Sequence, residues 1–228
     1  MSISKVVIPA AGLGTRLLPA TKSQPKEMLP VVDRPAIQYV VEEAKASGID
    51  DILIITGRGK RTLEDHFDRS IELERHLEAK GDMAKLAAVR SISDGPATYF
   101  IRQKEPKGLG HAVLCAEKHM ADQSFAVMLG DDIFVSEPPA IAQMIELYNN
   151  NPGIIIALQE VSDSQIPLYG IVSVCKKQGK ALLIDDLVEK PSLKAAPSNL
   201  AIVGRYILTP EIFDALKSIE ADKKGEFQ

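Results

Sequence analysis

The sequence predicts an α/β fold with a Rossmann-like, doubly wound and mainly parallel sheet, and a smaller antiparallel lobe beside it. Three observations carry this prediction. Short β-branched apolar runs recur along the chain, and stretches with helical periodicity separate them through residue 158. After residue 158 the helical stretches give way to strand-like segments joined by loops. Together they indicate one domain over residues 1–228, since α/β folds often reach this length.

The first half of the chain predicts its elements clearly. Residues 6–8 are an uninterrupted apolar run, as in a buried parallel strand. A helix is expected from near Pro35, because proline suits the first helical turn and apolar residues then recur at helical spacing until Gly48. Residues 52–55 predict the second buried strand, and the charged stretch 60–90 predicts exposed helices.

The remaining elements follow from the same patterns. Strands are expected at 98–101, 125–129 and 153–158, with helices at 108–120 and 140–149 between them. The segments 168–175, 181–188 and 200–208 are short apolar runs without intervening helices, which predicts the antiparallel lobe.

Composition excludes several classes of protein. The net charge is −4, with 27 basic and 31 acidic residues, which argues against a general nucleic-acid binder. The first apolar run is short and interrupted by Pro9, so neither a signal peptide nor a membrane span is expected, and the predicted location is the cytoplasm. Cys115 and Cys175 lack the spacing of a disulfide framework or zinc site.

Three glycine-rich stretches lack the spacing of well-known nucleotide motifs. The stretch at 12–17 has leucine where a dinucleotide fingerprint needs its third glycine, and the stretch from Gly108 has Val113 at that place. The stretch at 57–62 lacks the Gly-Lys-Ser/Thr ending of a P-loop. Dehydrogenases and P-loop NTPases are therefore disfavoured.

The first glycine loop nevertheless predicts a phosphate site. It directly follows the first strand, so backbone N–H groups of residues 11–16 can approach a phosphate chain without Cβ clashes. Arg16 adds a forked cation suited to phosphate oxygens. Lys26 lies between Pro25 and Pro30, which constrain its loop. The alternative is a plain tight turn at the sheet edge, with Lys26 as a solvated charge.

Two aspartates end the strand at 125–129. Ligands bind outside the carboxyl ends of strands in open α/β sheets, and Mg²⁺ takes one or two carboxylates together with phosphate oxygens. Asp131 is therefore the predicted metal ligand, whereas Asp132 is equally explained as a helix N-cap. The four histidines show no metal spacing and receive no role. Cations and a metal carboxylate suit phosphoryl-type transfer, which depends on positioning and charge neutralisation.

The chain resembles the bacterial UTP–glucose-1-phosphate uridylyltransferases, also called UDP-glucose pyrophosphorylases, of the sugar nucleotidyltransferase family. The similarity begins with Ile-Pro-Ala-Ala-Gly-Leu-Gly-Thr-Arg at residue 8 and runs in order along nearly the whole chain. The matching segments are 8–22, 25–30, 38–43, 103–113, 129–132, 169–170, 188–191 and 203–206. The resemblance implies the nucleotide-diphospho-sugar transferase fold and transfer of a uridylyl group from UTP to glucose 1-phosphate.

The resemblance also implies residue roles. About 1–160 would bind the nucleotide and about 161–228 the sugar phosphate through the antiparallel lobe. Arg16, Lys26 and Asp131 would carry the reaction, with Mg²⁺ on Asp131. The residues implied for nucleotide binding are Ala11, Gly12, Gly14, Thr15, Arg16, Gln103 and Gly108, of which Gln103 and Gly108 would read the uracil edge. The residues implied for sugar phosphate binding are Gly170, Glu189 and Lys190.

The resemblance leaves some alternatives open. Relatives carry a second magnesium aspartate and part of the subunit interface in a segment beyond the position of Gln228, so the sugar-phosphate part is expected to be incomplete, and a homo-oligomer is expected only with that segment. A glucose-1-phosphate thymidylyltransferase shares the same loop, lysine and aspartate. A hexose other than glucose, or a non-catalytic sugar-nucleotide sensor on the same fold, also remains open.

Overall fold

A computed structural model describes residues 3–179, 181–221 and 225–227. Its helices are α1 (Ala36–Ala46), α2 (Arg61–Phe67), α3 (Ile71–Ala79), α4 (Met83–Ser93), α5 (Gly108–Leu114), α6 (Glu117–Met120), α7 (Ala140–Asn150) and α8 (Glu211–Ser218). Its strands are β1 (Lys5–Ala10), β2 (Pro30–Val31), β3 (Arg34–Pro35), β4 (Asp51–Thr56), β5 (Ala97–Arg102), β6 (Phe125–Met128), β7 (Ile155–Glu160), β8 (Gly170–Gln178), β9 (Ala181–Glu189) and β10 (Leu200–Leu208). Among the described residues, no helix has the length and apolar character needed to span a membrane.

One eight-stranded sheet organises the molecule. Its strand order is β5-β4-β1-β6-β10-β8-β9, and β7 also pairs with β10. The pairs β5–β4, β4–β1 and β1–β6 are parallel, while every pair that involves β7 to β10 is antiparallel. The predicted α/β fold, with a mainly parallel sheet and a smaller antiparallel part, is confirmed.

The core lies on both faces of the parallel strands. Along β1, Val6 and Ile8 pack with α1 on one face, while Val7 packs on the other face with α5 and Phe125. All four of these side chains are fully buried. Because both faces are covered, the strands read as continuous apolar runs rather than as an alternation, which is why the sequence predicts them well.

The antiparallel part differs from expectation in its connections. Strand β10 lies between β6 and β8 and is antiparallel to both, so the predicted lobe continues the central sheet through the Ala201–Ile171 pairing. The strand expected at 153–158 is β7, which pairs antiparallel with β10 rather than joining the parallel strands. An apolar run determines burial but not the partner strand. The assignment of nucleotide and sugar-phosphate binding to residues before and after about 160 stays a prediction.

Candidate active site

The loops that follow three adjacent parallel strands meet at one edge of the sheet. Strand β1 pairs with β4 on one side and β6 on the other, so the loops beginning at residues 11, 57 and 129 are neighbours. The first two loops touch directly, since a Cβ placed on Gly57 would lie 2.9 Å from the carbonyl oxygen of Ala11. This edge is where open α/β sheets place their ligands.

The glycine loop lies against the turn that carries Lys26. Gly14 has a φ of 68°, and an added Cβ would lie 3.2 Å from the Lys26 Cβ. The Thr21 hydroxyl donates to the Gly14 carbonyl oxygen at 2.7 Å, which holds the loop in this position. Gly12, Thr15 and Arg16 are exposed. Within the described ranges no hydrogen bond or ion pair engages the exposed Arg16 guanidinium, so it is available to an anionic ligand.

Lys26 and Asp131 are brought together from loops 105 residues apart. The Lys26 Nζ lies 2.6 Å from the Asp131 Oδ2, and the two side chains are 25% and 40% exposed. The lysine stands at the start of a 3₁₀ turn over Lys26–Met28, closed by the Met28 N–H donating to the Pro25 carbonyl oxygen. Two oppositely charged groups are therefore partly exposed to solvent, side by side, at the edge of the glycine loop.

A second ion pair is buried immediately beneath this one. The Lys60 Nζ contacts the two carboxylate oxygens of Glu27 at 2.8 Å and 3.1 Å. Burial raises the pKa of Glu27 and lowers the pKa of Lys60, while the mutual ion pair opposes both shifts. Neither residue could be assigned a role from the sequence, because a pairing between positions 27 and 60 leaves no local signal.

Asp132 packs against the central strand β10 and does not cap a helix. The next helix along the chain, α7, begins only at Ala140, so the predicted N-cap role is wrong. A Cβ on Gly204 would overlap the Asp132 Oδ2 and lie 2.9 Å from its Cγ, so only glycine leaves room for this carboxylate. Burial, and next the charge of Asp131, raise the pKa of Asp132.

Arg205 holds the aspartate loop from inside the sheet. It is fully buried, and its Nη2 donates to the Asp132 carbonyl oxygen at 2.8 Å and to the Glu43 Oε2 at 2.6 Å. Its guanidinium also lies 4.5 Å from the centroid of the Phe134 ring. Glu43 in turn accepts the N–H of Ile141 at the start of α7. The arginine therefore links β10, α1 and α7 to the loop that carries Asp131.

Gln103 lies on a fourth loop, which follows β5. Its side-chain Nε2 donates to the Gly108 carbonyl oxygen at 3.2 Å and to the His111 Nδ1 at 2.8 Å. Both bonds use the amide nitrogen, which leaves the Oε1 as the acceptor. His111 had no role predicted from the sequence, yet its imidazole contacts and orients this amide. An added Cβ on Gly108 would lie 2.9 Å from the Phe227 carbonyl oxygen and 3.1 Å from the Glu226 Cβ, so these two residues cover one side of this loop.

The residues implied for sugar phosphate binding cluster at the open end of the β8–β9 hairpin, where β8 begins and β9 ends. Gly170 pairs with Glu189 across the strands, and an added Cβ on Gly170 would lie 3.1 Å from the Glu189 Oε2. Lys190 follows with a φ of 45°, a conformation that costs energy for a residue with a side chain and recurs at functional sites. Its Nζ lies 2.7 Å from the Glu189 Oε1.

Strand β10, which contains Tyr206, lies between the two groups of residues. Burial raises the pKa of Tyr206 to about 12, and the negative charges of Asp132 and Glu189 add to the shift. On the same strand, a Cβ on Gly204 would overlap Asp132, and the Ile202 side chain lies 3.3 Å from the position of a Cβ on Gly170. The arrangement brings the Asp131–Asp132 loop and the Glu189–Lys190 pair to the same region of the sheet.

The carboxylates suit a divalent cation that shares its ligands with a phosphate. Among the described residues no group of three or more His, Cys, Asp or Glu side chains could hold a metal ion alone. Asp131 instead offers a half-exposed carboxylate beside a cation and a glycine loop. Mg²⁺ is commonly held by one or two carboxylates, with substrate phosphates and water completing the shell.

Comparison with known proteins identifies the family of the chain. A family model described as nucleotidyl transferase matches residues 5–228. The UTP–glucose-1-phosphate uridylyltransferase YngB of Bacillus subtilis (strain 168) is 55% identical over 226 residues, which cover 99% of this chain and 76% of that protein.

Solved structures give the same result. A UDP-glucose pyrophosphorylase complexed with UDP-glucose has a TM-score of 0.88 at 44% identity, covering 99% of this chain and 83% of that one. A UTP-bound UGPase from Acinetobacter baumannii has a TM-score of 0.89 at 43% identity, covering 95% and 78%.

Proposed function

The chain belongs to the nucleotidyl transferase family, and we infer that it transfers a uridylyl group from UTP to glucose 1-phosphate. The products are UDP-glucose and pyrophosphate. The observation that carries the assignment of this chemistry to the site is the 2.6 Å pair between Lys26 and Asp131, at the sheet edge beside the glycine loop. The pair supports the proposal because a cation and a carboxylate lie side by side next to the glycine loop, where they could bind a triphosphate and its metal ion.

We propose a single in-line displacement at the α-phosphorus. A phosphate oxygen of glucose 1-phosphate forms the new P–O bond as the bond between the α-phosphorus and the bridging oxygen to the β-phosphate breaks, and that oxygen leaves with pyrophosphate. No side chain need form a covalent intermediate. Arg16 and Lys26 would neutralise the charge that develops on the phosphates, and the N–H groups of the glycine loop would bind the chain of phosphates.

Asp131 would hold a divalent cation, and Mg²⁺ is our specific proposal. The bound ion would supply charge neutralisation on the phosphate oxygens. In the ligand-free pair the Asp131 carboxylate is engaged by Lys26. The lysine must therefore exchange this partner for a phosphate oxygen, and its single flexible stem allows that exchange.

Base recognition is proposed for Gln103. Its Nε2 is engaged by Gly108 and His111, so the Oε1 can accept the N3–H of uracil. Cytosine has an acceptor at that position and would oppose it. Thymine keeps the N3–H and differs by one methyl group, which is worth only about 1–3 kcal/mol of discrimination. The identity of 55% to a uridylyltransferase supports UTP as the natural substrate.

Sugar phosphate binding is proposed for Gly170, Glu189 and Lys190. The Glu189 carboxylate would accept hydrogen bonds from sugar hydroxyls, and Lys190 would bind the phosphate. Their mutual ion pair is half-exposed, so a sugar phosphate can replace it with two separate interactions. Glucose as the preferred hexose, and a homo-oligomeric assembly, stay predictions.

Pyrophosphate release with purified protein tests the proposal. We expect release with UTP, glucose 1-phosphate and Mg²⁺, weaker release with dTTP, and none when the sugar phosphate is omitted. Faster turnover with dTTP would assign the thymidylyl reaction instead. Tight UTP binding without release under any of these conditions would indicate a sensor and would refute the catalytic assignment.

A further inference from the structure

The buried Lys60–Glu27 pair has no role in the reaction as described. Glu27 is completely buried, and Lys60 is 7% exposed. Both carboxylate oxygens of Glu27 accept from the one ammonium group. Buried ion pairs add little to stability compared with well-packed apolar residues, because desolvation offsets their attraction. Stability alone therefore explains this pair poorly.

The pair lies where three active-site loops meet. Glu27 follows Lys26 within the Lys26–Met28 turn. Its Cγ is 3.4 Å from the position of a Cβ on Gly130, the residue before Asp131. Lys60 ends the loop after β4, which packs through Gly57 on the Ala11 carbonyl oxygen. The ion pair thus joins the loops that follow β1, β4 and β6.

We propose that Lys60 is a positioning residue that acts through Glu27 to set the place of the Lys26 ammonium. It would do so without touching the substrate. Two charge-assisted hydrogen bonds give Glu27 one defined orientation, which apolar packing does not. Because Lys26 directly precedes Glu27 in one 3₁₀ turn, a change in the orientation of Glu27 would shift the backbone of Lys26. This inference rests on the proposed function for the role of Lys26, and displacement of a reacting group by about 1 Å can cost about 10²-fold in rate.

The decisive variant replaces both members of the pair. Glu27→Met with Lys60→Met keeps the buried volume and removes both charges, so Tm is expected to stay within about 5 °C of wild type. We expect kcat to fall by about 10- to 100-fold, while the KM for glucose 1-phosphate stays unchanged. Lys60→Arg retains the charge and is expected to keep kcat within about threefold. A folded double variant with wild-type kcat would overturn the proposal.

A double-mutant cycle separates positioning from general damage. If Lys60 acts through Lys26, adding the double replacement to Lys26→Ala should lower kcat no further. Fully multiplicative losses would overturn the proposal. Arg90→Met is the matched control, since it removes a partner of the buried Glu74 on α3, outside the site. It should lower Tm and leave the kcat of the folded protein unchanged.

A crystal structure of the ligand-free double variant tests the inference independently of turnover. We expect the distance between Lys26 Nζ and Asp131 Oδ2, now 2.6 Å, to exceed about 4 Å, where an ion pair is lost. An unchanged distance would overturn the proposal. If the double variant does not fold, kcat and the distance between Lys26 Nζ and Asp131 Oδ2 are measured on Glu27→Gln with Lys60→Gln. A wild type that releases no pyrophosphate would refute the proposed function but leave the structural measurement decisive.

Discussion

Replacing Lys26 with alanine should abolish most of the turnover and leave the fold intact. The ammonium is the cation nearest to Asp131, and in the proposed reaction it neutralises charge on the transferring phosphates. Removing one preorganised donor of this kind typically costs about 10²–10³ in kcat, or about 2.7–4 kcal/mol of transition-state stabilisation. We therefore expect the kcat of Lys26→Ala to fall by at least about 10².

The stability of this variant should change little, for a reason that the geometry gives. The Lys26–Asp131 pair is 25% and 40% exposed, and pairs open to solvent contribute about 0–1 kcal/mol. The turn that carries Lys26 is closed by backbone bonds that alanine retains, from the Met28 N–H to Pro25 and from the Leu29 N–H to Lys26. The expected fall in kcat is therefore too large to result from partial unfolding of the variant.

Continuous detection of pyrophosphate with saturating UTP and glucose 1-phosphate measures the effect, and thermal unfolding monitors the fold. Lys85→Ala is the matched control, because Lys85 forms a 2.7 Å pair with Asp82 on the surface of α4. It should match wild type in both measurements. A kcat for Lys26→Ala within about tenfold of wild type, at unchanged Tm, would remove this lysine from the mechanism.

Three further predictions address other parts of the molecule. Gln103→Leu should lower the preference for UTP over CTP by about 5- to 150-fold in kcat/KM, because an unpaired buried polar group costs about 1–3 kcal/mol; an unchanged preference would exclude Gln103 from base reading. Gly204→Ala should lower kcat and destabilise the fold by about 1–3 kcal/mol in urea unfolding, because its methyl group displaces Asp132, whereas Gly95→Ala, whose nearest neighbour would be 3.7 Å away, should do neither. Two arginine hydrogen bonds lower the pKa of Glu74 to about 2, so Glu74→Gln should reduce Tm at pH 7, and the difference from wild type should shrink as pH falls from about 4.5 towards 2; a difference that is independent of pH would contradict this.

The sequence alone was informative where a local pattern has one structural meaning. The buried parallel strands β1, β4 and β6 read as continuous apolar runs, and they lie where those runs predicted them. The edge strand β5 is only partly buried, and it too lies where the sequence predicted a strand. The helix expected from 108 to 120 is instead divided into α5 and α6 around Cys115 and Ala116. Helical periodicity persists through such a break, so the pattern does not reveal it.

In the candidate site, too, local sequence patterns identified some residues, whereas contacts between distant residues could not be predicted. The glycine loop, Lys26 and Asp131 were each identifiable, because a glycine turn, a proline-bounded lysine and a strand-terminal aspartate carry local signals. Asp132 was misread as a possible helix cap, because its actual neighbour, Gly204, is 72 positions away in the chain. The roles implied for the nucleotide and sugar-phosphate residues stay predictions.

What the sequence determined by itself is therefore the set of strands, the chemistry of the loops and the family. Only the tertiary structure decided that β10 enters the sheet beside β6, and that Arg205 from this strand reaches Glu43 and the Asp132 backbone. It also decided that Lys60 is buried against Glu27. The physical reason is that burial of an apolar run is a property of the run, whereas an ion pair or a strand pairing depends on where two distant segments meet.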